Sequence, residues 1–118
     1  MDLAKTDNLL NVFFNQCTKQ NSKEIFLNWL KFPENNYSWE ETKVNIIKLA
    51  KELKKNLNKG SRCLLVSENR PEWLISDLAI MLAGGITVPS YITYTEKDYE
   101  FIIDDCEPSI VIVSNQIL

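Results

Sequence analysis

From Arg62 to Ser114, short apolar runs alternate with helical stretches, and the links between them are only a few residues long. "RCLLVS" ends at Ser67 and reads as a strand, and a helix is expected over 71–83. Gly84 and Gly85 stop that helix, and Ile86, Thr87 and Val88 begin a second strand that ends at Pro89. Thr95 to Asp98 has the spacing of a helix cap, opening a helix that carries Tyr99, Ile102, Ile103 and Cys106. Pro108 closes it, and "SIVIVS" over 109–114 is a third strand. Strand, helix, strand, helix, strand with short connections predicts parallel pairing through right-handed crossovers. The fold class expected is α/β: a three-layer, mostly parallel sheet with crossover helices.

Upstream, "NLLNVFFNQCTK" over 8–19 has apolar residues near helical spacing and predicts a short amphipathic helix. "EIFLNWLKF" over 24–32 alternates as a strand, with Ile25, Leu27 and Trp29 on one face. "PENN" turns the chain, and Tyr37 restarts an extended segment, completing a hairpin. Ser38 to Glu41 fits a capping box, in which Ser38 accepts from the third helical amide and Glu41 reaches back. That helix is expected to run to about Leu57, with Ile46, Ala50, Leu53 and Leu57 as its apolar stripe. The chain thus divides into an opening helix and hairpin, 1–36, and the start of an α/β core, 37–118.

The chain has no histidine, which removes the commonest general base and the commonest zinc ligand. A formal charge of −3, from 13 basic and 16 acidic residues, argues against a nucleic-acid partner. Cys17, Cys63 and Cys106 are odd in number and far apart, so reduced thiols in a cytoplasmic protein are the simplest reading. The first residues do not resemble a signal peptide, and no window is apolar and long enough for a membrane span. The helix over 71–83 is apolar nearly all round and is expected to need cover from something beyond this chain.

Two stretches invite a functional reading. "VSENRPEWL" follows a parallel strand and precedes a helix, a place where α/β sheets bind ligands and where anions are favoured. Against that, Pro71 removes an amide, no glycine lies between Arg62 and Ala83, and Asn69 with Glu72 looks like the cap of its own helix. The structural reading is the stronger one, with Arg70 solvated or paired with an acid. Asp104 and Asp105 are adjacent on a helix, point in different directions and do not form a working carboxylate pair. Tyr91, Tyr94 and Tyr99 could line a pocket, although edge packing is the more ordinary use of such residues.

The run over 61–114, led by "YSWEETKVNIIKLAKELKKNLNKGSRC", resembles the N-terminal part of adenylate-forming enzymes. Within that family, "ENRPEWL" followed by "AGGITVPSYITYT" is most similar to long-chain fatty-acid–CoA ligases. The resemblance implies a two-step reaction. A fatty acid carboxylate attacks the α-phosphate of ATP with Mg²⁺ assistance, and the thiol of coenzyme A then takes the acyl group from the adenylate. It also implies that the phosphate loop, the acidic residue on the ribose and the mobile lysine all lie beyond Leu118. No catalytic, cofactor-binding or metal-binding residue is therefore carried over, and the chain alone is expected to be inactive. Tyr91, Thr93 and Tyr94 are the residues expected nearest a substrate groove. The implied partner is the remainder of a ligase chain, or a second copy covering the 71–83 helix, with peripheral membrane contact open to the full enzyme. The alternative is a stand-alone α/β binding or dimerisation module without catalysis.

Overall fold

The computed structural model describes residues 8–114. The reading that the first residues are no signal peptide rests partly on Met1 to Asp7, outside the described residues. The element order is α1 (Leu9–Lys19), β1 (Ile25–Asn28), β2 (Asn36–Ser38), α2 (Trp39–Lys54), β3 (Arg62–Val66), α3 (Pro71–Leu82), β4 (Ile86–Ser90), α4 (Glu96–Cys106) and β5 (Ile110–Val113). β1 and β2 form an antiparallel ribbon, while β3 pairs in parallel with both neighbours in the order β4-β3-β5. The α/β fold with its parallel βαβαβ unit is as expected.

Sheet order sets the layers. The chain steps from β3 to β4 on one side and then crosses back to β5 on the other. With right-handed connections, opposite directions of travel put α3 and α4 on opposite faces of the sheet. The core cluster joins Ile46, Ala50 and Leu53 of α2 to Ile75, Leu78, Ala79 and Ile80 of α3, with Phe13 of α1 and Cys63 of β3. Ile110 and Ile112 pack against that cluster. By strand alternation, Leu64, Val66 and Val111 face the α4 side.

This packing corrects one expectation. The helix over 71–83 does not wait for an outside partner: Ile75, Ser76, Leu78, Ala79 and Ile80 are buried between α2 and the sheet. Leu82, the last residue of α3, stays 38% exposed, and more exposed apolar side chains lie elsewhere. Phe101 on α4 is 70% exposed and Val111 on β5 is 45% exposed.

The opening ribbon departs from its pattern too. β1 covers four residues, and its register slips between Ile25 and Leu27 opposite Ser38 and Tyr37. Two steps on one strand against one on the other is a β-bulge, with Phe26 as the extra residue. Phe26, not Ile25, therefore faces inward and stacks on Trp39 with ring centroids 4.0 Å apart, leaving Ile25 51% exposed. The residues after Asn28 leave the strand through two successive turns, Phe32 N–H to Trp29 O and Asn35 N–H to Phe32 O.

Both expected caps are used, one of them in full. At α4, Thr95 Oγ1 accepts from the Asp98 amide and the Asp98 carboxylate accepts from the Thr95 amide. At α2, Ser38 Oγ accepts from the Glu41 amide at 3.1 Å, and the return bond from Glu41 is missing among the described residues. α2 also ends at Lys54, earlier than expected. Its last turn tightens to bonds from Lys55 to Glu52 and from Asn56 to Leu53, which still leaves Leu57 buried.

Gly85 is the most tightly enclosed of the three glycines. A Cβ there would lie 3.1 Å from Ile80 Cγ2, 3.2 Å from Ser61 O and 3.3 Å from Leu57 Cδ1. Gly85→Ala is expected to destabilise the chain by about 1–3 kcal/mol through overpacking, a loss that urea unfolding would register. An unchanged midpoint would show that these neighbours give way freely.

Candidate functional site

A doubly wound sheet opens a crevice at the carboxyl ends of its strands, at the point where the strand order reverses. Here that crevice lies between β3 and β5, beside the loop that contains Ser67, Glu68, Asn69 and Arg70. Four polar side chains meet across it. Arg70 Nη1 donates to Glu68 Oε1 at 3.1 Å, and Arg70 Nη2 donates to Glu72 Oε1 at 2.8 Å. Glu68 Oε2 accepts from Ser114 Oγ at 2.7 Å, joining residues 46 positions apart. The Arg70 guanidinium also lies 4.6 Å from the ring centroid of Trp29, so the hairpin loop is tied to the same cluster.

Arg70 is thus paired with acids, as its sequence context suggested, and its side chain is only 17% exposed. The capping expectation is corrected. Arg70 itself is the N-cap of α3 and makes no side-chain cap bond, and Asn69 is not the cap. Glu72 accepts from Arg70, so it is not the partner of an Asn69 cap. The network is not fully satisfied, because Arg70 Nε and Glu72 Oε2 are buried without partners.

The electrostatics follow from these contacts. Hydrogen bonding to Glu72 holds Arg70 charged against the opposing effect of burial, and Glu68 adds to it. Burial pushes the Glu68 carboxyl up, but the Ser114 hydroxyl, its own backbone amide and Arg70 together outweigh it and leave the pKa below the ordinary 4.5. A carboxylate with a depressed pKa contributes stability that is present above its unfolded-state value and lost as pH falls through the folded one. Acid unfolding below about pH 4.5 should therefore carry a Glu68 component, and Glu68→Gln should flatten that limb of the curve. An identical acid limb in the variant would remove Glu68 from the account. At the other end of β3, burial raises the Cys63 thiol to about 11, so it stays protonated and inert near neutrality.

Two clefts border the site. One of about 240 Å³ lies in the crevice, between Leu65, Ser67, Arg70, Trp73, Ile112 and Ser114, among others. Another of about 210 Å³ sits over β3 and β4, lined by Ser67, Asn69, Trp73, Pro89, Ser90 and Tyr91. Of the three expected groove residues, Tyr91 lines this second cleft, whereas Thr93 and Tyr94 lie exposed beside it. Tyr94 packs edge-on against Tyr91 and Tyr99, and the Tyr99 hydroxyl donates to the Tyr91 carbonyl. Sequence reasoning missed Trp73 and Ser90 as cleft residues. Ser90 closes β4 and Trp73 lies in the first turn of α3, and these places at the carboxyl end of the sheet were the available signal.

The described residues do not make a phosphate site. Gly60, Gly84 and Gly85 all lie before the amino ends of β3 and β4, away from the crevice. Pro71 occupies the first turn of α3, and the one guanidinium at the crevice is already shared between two carboxylates. At the crevice, ATP phosphates would find neither a cradle of backbone amides nor an unshared guanidinium.

The residue pattern that defines AMP-binding enzymes matches residues 13–117. This chain belongs to the AMP-binding enzyme family. Among curated relatives, fatty acyl-CoA synthetase A of Dictyostelium discoideum is 38% identical over 56 residues, covering 48% of this chain and 8% of that protein. The long-chain-fatty-acid–CoA ligase of Bacillus subtilis is 37% identical over 67 residues, covering 56% of this chain and 12% of that protein. The chain therefore spans only a small share of the relatives it matches. Two solved structures share its fold. The N-terminal subdomain of Klebsiella oxytoca NpsA superposes with a TM-score of 0.75 at 21% identity, covering 91% of this chain and 27% of that one. ATP-bound MatB from Rhodopseudomonas palustris superposes with a TM-score of 0.73 at 23% identity, covering 88% and 21%.

Proposed function

We propose that these residues are the N-terminal structural part of an ATP-dependent, AMP-forming fatty-acid–CoA ligase, and that they are inactive by themselves. The observation that supports this most is the family match over 13–117, joined to relatives that are named as fatty acyl-CoA synthetases and long-chain-fatty-acid–CoA ligases. In this reading the overall reaction converts a fatty acid, ATP and coenzyme A to acyl-CoA, AMP and pyrophosphate. ATP, Mg²⁺ and coenzyme A are bound by other parts of the enzyme, whose partner in assembly is this α/β unit. The role of residues 13–117 is to hold one wall of the substrate-binding domain, with Tyr91 on that wall and Thr93 and Tyr94 beside it. The full enzyme works in the cytoplasm, with peripheral contact to membrane where its substrate resides.

The DNA beyond the Leu118 codon tests this reading. A continuing frame, expressed with a long-chain fatty acid, ATP, Mg²⁺ and coenzyme A, should release AMP and form a thioester. A continuing frame without a Ser/Thr/Gly-rich phosphate loop would overturn it.

A second reading, a stand-alone dimerisation module, draws on the exposed Phe101 and Val111 of the α4 side. Light scattering at micromolar concentration separates the two, since a stable monomer counts against the module.

A further inference from the structure

We infer that Glu68 is a latch that fixes where the chain leaves β5, acting as a positioning residue through Ser114. One Glu68 oxygen is held by Arg70 at 3.1 Å, which aims the carboxylate and keeps it charged. The other accepts from Ser114 Oγ at 2.7 Å, across the crevice between the two strands. The backbone repeats the tie, because the Ser114 amide donates to Val66 O at 3.0 Å. Ser114 is therefore gripped twice, by the last residue of β3 and by the loop that follows it, at the first residue beyond β5.

The position gives the grip its meaning. Strand pairing alone fixes Ile110 to Val113, whose partners run from Cys63 to Val66. Past Val113 the ladder has no further partner strand residue, and a chain end held by one backbone bond would fray. The Glu68 carboxylate extends the constraint beyond the ladder, on the side where sheets of this kind open toward ligands. Arg70 carries the constraint on to Glu72 in α3 and to the ring of Trp29, so the exit of β5 is referenced to the hairpin and α3 as well. Glu68 is only 20% exposed, which shields these bonds from competition by water. The latch does not rest on the ligase reading, since it is read entirely within this chain.

Amide hydrogen exchange by NMR on the whole 118-residue chain tests it. Glu68→Ala and Ser114→Ala should each lower the protection factor of the residue-114 amide at least tenfold, while the Leu64 and Leu65 amides lose much less. Glu68→Gln keeps an acceptor for the hydroxyl and should bring protection at residue 114 back to within threefold of the parent. Ser114→Ala removes one half-buried hydroxyl and no charge, so it keeps the test open should Glu68→Ala fail to fold. The latch is overturned if residue 114 loses no more protection than Leu64 and Leu65, or if Glu68→Gln fails to restore it.

Discussion

Ile46→Ala is expected to lower stability by about 2–5 kcal/mol, a large part of the 5–15 kcal/mol that holds an ordinary domain folded. Ile46 is 0% exposed and belongs to the cluster that joins α2 to α3. Two causes add. The removed carbons lose their transfer free energy, and the remaining space cannot collapse, because its neighbours are fixed on two helices and a sheet. Urea denaturation of parent and variant checks the figure. A shift below 1 kcal/mol would mean that α2 and α3 pack far more loosely than their mutual burial shows.

Arg70→Ala is expected to cost about 1–3 kcal/mol near neutral pH, less than for a fully buried ion pair, because water still reaches part of the group. Its removal leaves the Glu68 and Glu72 carboxylates close together without a cation and takes the guanidinium off Trp29. The pH dependence has a definite sign. Without Arg70 the Glu68 carboxyl loses a partner that lowers its pKa, so its repulsion with Glu72 is relieved as acid protonates it and the two stability curves converge. Arg70→Lys keeps the charge without the planar fork and should recover only part of the loss. Thermal unfolding across pH 3.5–8 gives all three comparisons, and a gap that widened toward acid would contradict the charge argument.

How legible all this was depends on distance along the chain. The Thr95–Asp98 cap was readable because both partners sit within one helical turn. The parallel sheet was readable because β3, β4 and β5 each announce themselves as short apolar runs between helix signals. The pattern of β1 was only partly legible for a physical reason: a bulge breaks the alternation that put Ile25, Leu27 and Trp29 on one face, so Phe26 faces inward and Ile25 is exposed. The cover of the 71–83 helix was misjudged because its apolar surface was weighed without knowing that α2 and the sheet close on it together, with Phe13 of α1 in the same core. At the candidate site, the sequence left Arg70 solvated or paired with an acid, and the structure supplies the partners, Glu68 and Glu72. The bond from Ser114 to Glu68 could not be foreseen, since only the order β4-β3-β5 brings those residues together. Tyr91, Thr93 and Tyr94 were all chosen because they follow a strand end; Tyr91 lines a cleft, and Thr93 and Tyr94 are exposed.

The scaffold account stands or falls on fatty-acid-dependent exchange of labelled pyrophosphate into ATP by the 118-residue chain in the presence of Mg²⁺. No exchange above the protein-free background is the predicted result. Saturable exchange that requires both the fatty acid and this chain alone would contradict it.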